Sequence, residues 1–187
     1  MIYLRRFNES IENIESICQK YGINNYTINE DGSIDVDGNV NLKNKKLTKL
    51  PLKFKNIAGS FDCTYNKLTT LEGAPKSVGS SFYCSDNKLT TLEGAPKYVG
   101  GDFYCTHNQL TTLEGASKSV GGHFSCSNNK LFNLEFTPSG ISLSCFNNPI
   151  SNWWSKIDID KLEAFIDLGI DSRDPDFMNQ EKIDLLE

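Results

Sequence analysis

Between Leu47 and Asn148 the chain repeats itself at a step of 21 residues, and "LTTLEGAP" recurs letter for letter from Leu68 and from Leu89. A unit this short buries only part of its apolar face and cannot fold alone. Copies must therefore stack and share one interior. Four slots supply that interior. Leu47, Leu68, Leu89, Leu110 and Leu131 share one, and Leu50, Leu71, Leu92, Leu113 and Leu134 the next. Ile57, Val78, Val99 and Val120 form a third, and Phe61, Phe82, Phe103 and Phe124 a fourth, continued by Leu143 after a two-residue deletion. Each such side chain contributes about 1.5–3 kcal/mol when fully buried, so several per coil can offset the ordering entropy.

The cysteines follow the same period. Cys63, Cys84, Cys105 and Cys126 lie 21 residues apart, Cys145 follows 19 later, and only Cys18 stands outside the series. A series with the period of the repeat marks a small, burial-tolerant core slot rather than a bridging scheme, so free buried thiols are expected. Asn66, Asn87, Asn108, Asn129 and Asn148 come three residues after the cysteines. A carboxamide both donates and accepts. A stacked row of them can satisfy turn backbone that would otherwise cost about 1–3 kcal/mol per unpaired group.

The composite F-x-C-x-x-N-x-L-x-x-L resembles the leucine-rich repeat signature over about residues 42–152, in five copies. Its "LEGAPK" and "VGG" variant, and the preceding "YTINEDGSIDVDGNV", resemble repeat proteins of large tailed bacteriophages and some bacteria. The fold class expected is α/β: a leucine-rich repeat solenoid with a parallel β-sheet on one face, a mostly non-helical convex side, a helical and hairpin N-cap, and a helical C-cap. For a phage-encoded chain, the resemblance implies a host protein as partner and the host cytoplasm as location.

Glycine and proline in "EGAPK" and "VGG" disfavour a helix on the return side, where extended or short 3₁₀ segments are expected. Three regions follow. Residues 1–41 form an N-terminal helix and hairpin cap, residues 42–152 the repeats, and residues 153–187 a helical cap. The N-terminal helix is expected over 9–21, with Asn8 as its cap, Ile11, Ile14, Ile17, Cys18 and Tyr21 on one stripe, and Gly22 ending it. Tyr26–Ile28 and Ile34–Val36 flank the hairpin signal "NEDG". Trp153 and Trp154 either cover the last coil or serve as a partner-binding pair, and helices are expected over 159–168 and from Pro175.

The start "MIYLRRFNES" lacks the apolar run of a signal peptide, and no stretch approaches a spanning helix of roughly 18 apolar residues, which points to a cytoplasmic chain. The net charge of −5 sets a nucleic-acid binder at a disadvantage. The exception is the run Lys43, Lys45, Lys46, Lys49, Lys53 and Lys55, which carries no acid and is the alternative functional feature, a site of nucleic-acid association. From 157 to 187 ten acids face Lys161, Arg173 and Lys182. The rows Glu72, Glu93, Glu114 and Lys76, Lys97, Lys118 alternate in sign within each coil and are expected to neutralise one another.

Catalytic signals are weak. His107 and His123 are the two histidines, too few for a metal site without convergent cysteines or carboxylates. Asp31, Asp35 and Asp37 alternate with Ile34 and Val36 and lack the calcium-loop spacing. No nucleophile triad, phosphate loop or metalloprotease motif is present, so a non-enzymatic chain with no catalytic, metal or cofactor residues is expected.

Function is then expected at the outward strand positions, which packing leaves free. Tyr83 and Tyr104 occupy the same slot in adjacent coils and should lie side by side, with Tyr65, Asp86, Asp102, His107 and His123 around them. Aromatics with polar tips beside Asp and His suit a protein-binding patch, while a cross-strand pair that only stabilises the sheet explains the same residues.

Overall fold

The computed structural model describes residues 2–150, with side chains from residue 11 onward. Helix α1 (Ile2–Tyr21) opens the chain. It begins well before the expected start at residue 9, so Asn8 lies inside it rather than capping it. Leu4, Phe7 and Ile11 continue the three-and-four spacing of Ile14 and Cys18 upstream, and one Asn of modest helix propensity does not interrupt such a run.

Its end is as expected. Gly22 adopts φ 66°, its N–H donates to the Gln19 carbonyl at 3.2 Å, and the Ile23 N–H donates to the Cys18 carbonyl at 2.9 Å. Both bonds of a Schellman motif are present, and Cys18 and Ile23, the pair that this motif brings together, are buried.

After α1 the described residues wind into a β-solenoid with two sheets. The first contains β1 (Tyr26–Ile28), β2 (Ile34–Val36), β4 (Phe54–Ile57), β6 (Ser77–Val78), β8 (Tyr98–Val99) and β10 (Ser119–Val120), in that order. The second contains β3 (Val40–Asn41), β5 (Phe61–Asp62), β7 (Phe82–Tyr83), β9 (Phe103–Tyr104), β11 (His123–Ser125) and β12 (Ser142–Ser144). Among the described residues only β1 and β2 pair antiparallel, Tyr26 opposite Val36, as the hairpin signal predicts. All other pairs are parallel, and like slots face like slots: Phe61 opposite Phe82, Phe82 opposite Phe103, Phe103 opposite Phe124.

The first sheet corrects the expectation of a single sheet. Glycine and proline keep helix off the return side, but each "SV" or "YV" pair ends in a buried β-branched valine and stacks in register with its copies. Their backbones pair as a parallel ladder instead of forming isolated extended or 3₁₀ segments. This sheet stops at β10, one coil before the second sheet stops at β12. The coil "LEFTPSGISLSC" is two residues short and lacks the segment that would make another rung.

One core runs through the coils. Phe61, Phe82, Phe103 and Phe124 are fully buried, with successive ring centroids 5.7, 5.1 and 5.0 Å apart. Leu68, Leu89, Leu110 and Leu131 join them, as do Ile14 and Cys18 from α1. All six cysteines are free; Cys63, Cys84, Cys105 and Cys126 are buried and Cys145 is half-buried. Among the described residues no helix is long and apolar enough to cross a membrane. Trp153, Trp154 and the two helices expected after them lie outside the described residues.

Candidate functional site

The turn that ends each strand of the second sheet fixes the site. Tyr65, Asp86, His107, Asn128 and Asn147 all adopt left-handed backbone, φ 52–57°. Each precedes a buried asparagine that holds the turn. The Asn87 Nδ2 donates to the Cys63, Cys84 and Ser85 carbonyls at 3.0–3.2 Å, and its Oδ1 accepts the Leu68 N–H at 2.9 Å. Asn108, Asn129 and Asn148 repeat the pattern one coil at a time. The expected asparagine ladder is therefore present. It places Tyr65, Asp86 and His107 on the corner after the strand rather than on the strand itself.

On the strands, Tyr83 and Tyr104 are register partners, and their rings stack at 5.4 Å with 7° between planes. The His123 ring lies 6.1 Å from Tyr104 on the other side, tilted by 53°. Burial, with the Asp102 carboxylate and Tyr83 beside it, raises the Tyr104 phenol above its ordinary pKa. Tyr65, Tyr83, Asp86 and Tyr104 line a shallow depression of about 350 Å³, together with Lys43, Asp62, Thr64, Ser85 and Thr106. His107 and His123 are not in its lining. The residues expected to form the patch are thus brought together in part: Tyr65, Tyr83, Asp86 and Tyr104 share the depression, and His123 extends the aromatic row past it.

Several outward residues are occupied by the fold. The Asp102 Oδ1 accepts the His123 N–H at 2.8 Å, the Ser81 Oγ accepts the Asp102 N–H at 3.0 Å, and the Ser60 Oγ accepts the Ser81 N–H at 3.3 Å. His123 Nδ1 is 3.1 Å from Ser142 Oγ. Thr64, Ser81, Ser85, Ser125 and Ser127 are buried although they face outward, because short side chains are covered by longer neighbours and by one another. The free surface of this sheet is therefore narrower than the alternation alone suggests.

Lys43 was placed by the sequence only in a basic run. Its Nζ sits 5.2 Å from the Tyr65 ring centroid, a cation–π contact at the rim of the depression. The period held the signal: stepping back 21 residues from Thr64 lands on Lys43. The rest of that run is spread around the coil. Lys46, Lys49 and Lys53 line a groove of about 620 Å³ with Tyr21 and Leu50. Lys53 pairs with Asp31 at 3.2 Å, and Lys55 lies in β4.

Asp31 also accepts the Ser33 hydroxyl and N–H, and these bonds, the hydroxyl first, hold its carboxyl well below the usual carboxylate range. Asp35 accepts the Asn56 N–H at 2.9 Å. Among the described residues no three His, Cys, Asp or Glu side chains converge on a metal position. No ion pair joins the Glu72, Glu93, Glu114 row to the Lys76, Lys97, Lys118 row among those residues, so the expected neutralisation does not take that form.

No protein-family model matches the chain, and neither a curated protein nor a solved structure gives a match.

Proposed function

We propose that the chain is a non-enzymatic interaction module that binds a partner protein through the solvent face of its second sheet, centred on Tyr83 and Tyr104. The observation that carries this reading is the stacked pair itself. Two half-buried phenol rings on hydrogen-bonded strands border a shallow depression rimmed by Lys43, Tyr65 and Asp86. Tyrosine held in this way offers a large amphipathic contact area that has already lost its rotamer freedom, and such residues dominate binding energy at interfaces.

The coils are read as leucine-rich repeats of the kind found in large tailed bacteriophages and some bacteria. The stacked coils and the asparagine ladder support that assignment. The partner would then be a host protein whose activity is modulated or inhibited in the host cytoplasm. Affinity capture from host lysate with the intact chain and with the Tyr83→Ala, Tyr104→Ala double variant tests it. A partner retained by the first and lost with the second, at unchanged circular dichroism, is expected. Equal capture by both removes the assignment.

A further inference from the structure

A second surface lies on the segment that follows each asparagine. There the backbone runs Lys-Leu-Thr-Thr or close to it: Lys46 to Lys49, Lys67 to Thr70, Lys88 to Thr91, Gln109 to Thr112 and Lys130 to Asn133. The leucines Leu68, Leu89, Leu110 and Leu131 point into the core, which turns the residues on either side outward. Lys46, Lys67, Lys88, Gln109 and Lys130 are all exposed, and so are Thr48, Thr69, Thr90 and Thr111.

Backbone hydrogen bonds fix the register of this ladder. The Lys67 N–H donates to the Leu47 carbonyl, Lys88 to Leu68, Gln109 to Leu89 and Lys130 to Leu110, each at 2.8 Å. Successive positions of the row are therefore carried on backbones about 4.8 Å apart, with Gln109 between Lys88 and Lys130, and the row from Lys46 to Lys130 is roughly 19 Å long. The five segments hold Lys46, Lys49, Lys67, Lys88 and Lys130 and no carboxylate. In the slot of the exposed threonines the last coil carries Phe132, which is 59% exposed.

We infer that this ladder is a binding surface for single-stranded nucleic acid. A linear row of like charges in one register suits a linear polyanion. Ammonium and hydroxyl groups side by side are the donors that phosphate oxygens take. An exposed aromatic ring in the same row gives a base a surface to stack on, and that combination distinguishes a single strand from a duplex or an acidic polypeptide. The chain's negative balance does not oppose this. Residues 1–150 hold 15 Lys and Arg against 14 Asp and Glu, and the acidic excess falls in 151–187. The surface lies outside the Tyr83–Tyr104 depression, so the two readings stand or fall separately.

The test is fluorescence anisotropy of a labelled oligothymidylate of about 20 nucleotides with the full chain, from about 50 mM salt upward. Binding that weakens steeply with salt is expected. Lys67→Gln with Lys88→Gln should lower affinity at least about tenfold and flatten the log–log salt slope by roughly 0.7 per lysine. Phe132→Ala should weaken binding several-fold and leave that slope unchanged. Tyr83→Ala with Tyr104→Ala should bind as the parent does. No binding at low salt overturns the proposal, as does binding that the lysine variant leaves intact. A polyglutamate peptide or a duplex bound as tightly as the single strand, with Phe132→Ala silent, also overturns it in favour of a non-specific polyanion surface.

Discussion

The side-chain oxygen of Asn108 accepts the backbone N–H of Leu89, 3.0 Å away and 19 residues earlier, and so ties one coil to the one before it. The same carboxamide donates to the Cys84 and Cys105 carbonyls at 3.1 and 3.2 Å. All of these groups are away from water, so removing the carboxamide strands donors and acceptors that nothing else can reach. Each costs about 1–3 kcal/mol. Asn108→Ala should therefore lower stability by at least about 2 kcal/mol, read as a fall in the urea midpoint. Asn108→Asp should be worse, because its carboxylate would face those two carbonyls.

Gly100 is a contact of a different kind. Its N–H donates to the Val78 carbonyl at 2.9 Å, and a Cβ on it would collide with the carbonyl oxygen of Gly79 in the neighbouring coil. Gly121 stands in the same relation to Gly100. The obstacle is backbone rather than a flexible side chain, so relief requires the coils to part. Gly100→Ala should cost about 1–3 kcal/mol or more by overpacking. Ala58 fills the equivalent slot one coil before Gly79, where the β2–β4 pairing is irregular. Gly38→Ala, with nothing within 4 Å of the added Cβ, is the comparison for a glycine whose new side chain would not meet a neighbouring coil. Its φ of 147° adds strain of its own, so the informative readout is whether Gly100→Ala also shortens the solenoid's cooperative unit in native-state hydrogen exchange.

The 21-residue step made the winding, the phenylalanine and leucine slots, the buried thiols and the asparagine ladder readable without coordinates. All of these depend on one repeated position meeting its own copy. Residues that depend on a second strand were less readable. Ser77, Tyr98 and Ser119 form a sheet only because stacking already fixes their spacing, and two-residue strands carry too little periodicity to announce themselves. The site divides along the same line. The Tyr83–Tyr104 stack is a same-slot pair and was legible. Lys43 over Tyr65 joins different slots, and Asp102 serving the His123 N–H is a side chain answering a backbone, which pattern alone does not reveal.

The thiol row makes stability sensitive to alkali. Burial pushes Cys126 up to about 12, and it raises Cys63, Cys84 and Cys105 well above the ordinary 9.0 of a thiol. These groups are neutral in the folded chain and ionise first in the unfolded one. Their stabilising effect is complete below pH about 9 and is lost as pH rises toward the folded values. Each adds about 1.4 kcal/mol of loss per pH unit in that window. The urea midpoint should fall steeply above pH 9, and Cys105→Ala should reduce the slope by one proton's worth. A thiol reagent should label half-buried Cys145 in the native chain and reach Cys84 and Cys105 only on unfolding. A flat midpoint between pH 8 and 11 would contradict the burial of the row.

The two tyrosines separate stability from binding. An aromatic pair of this geometry contributes about 0.5–1.5 kcal/mol beyond its area, and the strands beneath keep their hydrogen bonds whatever the side chain. The Cys63 N–H donates to the Tyr83 carbonyl and the Cys84 N–H to the Tyr104 carbonyl, both at 2.9 Å. Tyr83→Ala should thus cost about 1 kcal/mol in the urea midpoint, yet abolish partner capture if the ring edges are the contact. Tyr83→Phe is the discriminating substitution. It preserves the stack and removes only the hydroxyl, so stability should be unchanged while partner affinity falls. A pair that merely braces the sheet would show the same stability changes but differ in capture, which Tyr83→Ala and Tyr83→Phe would both leave intact.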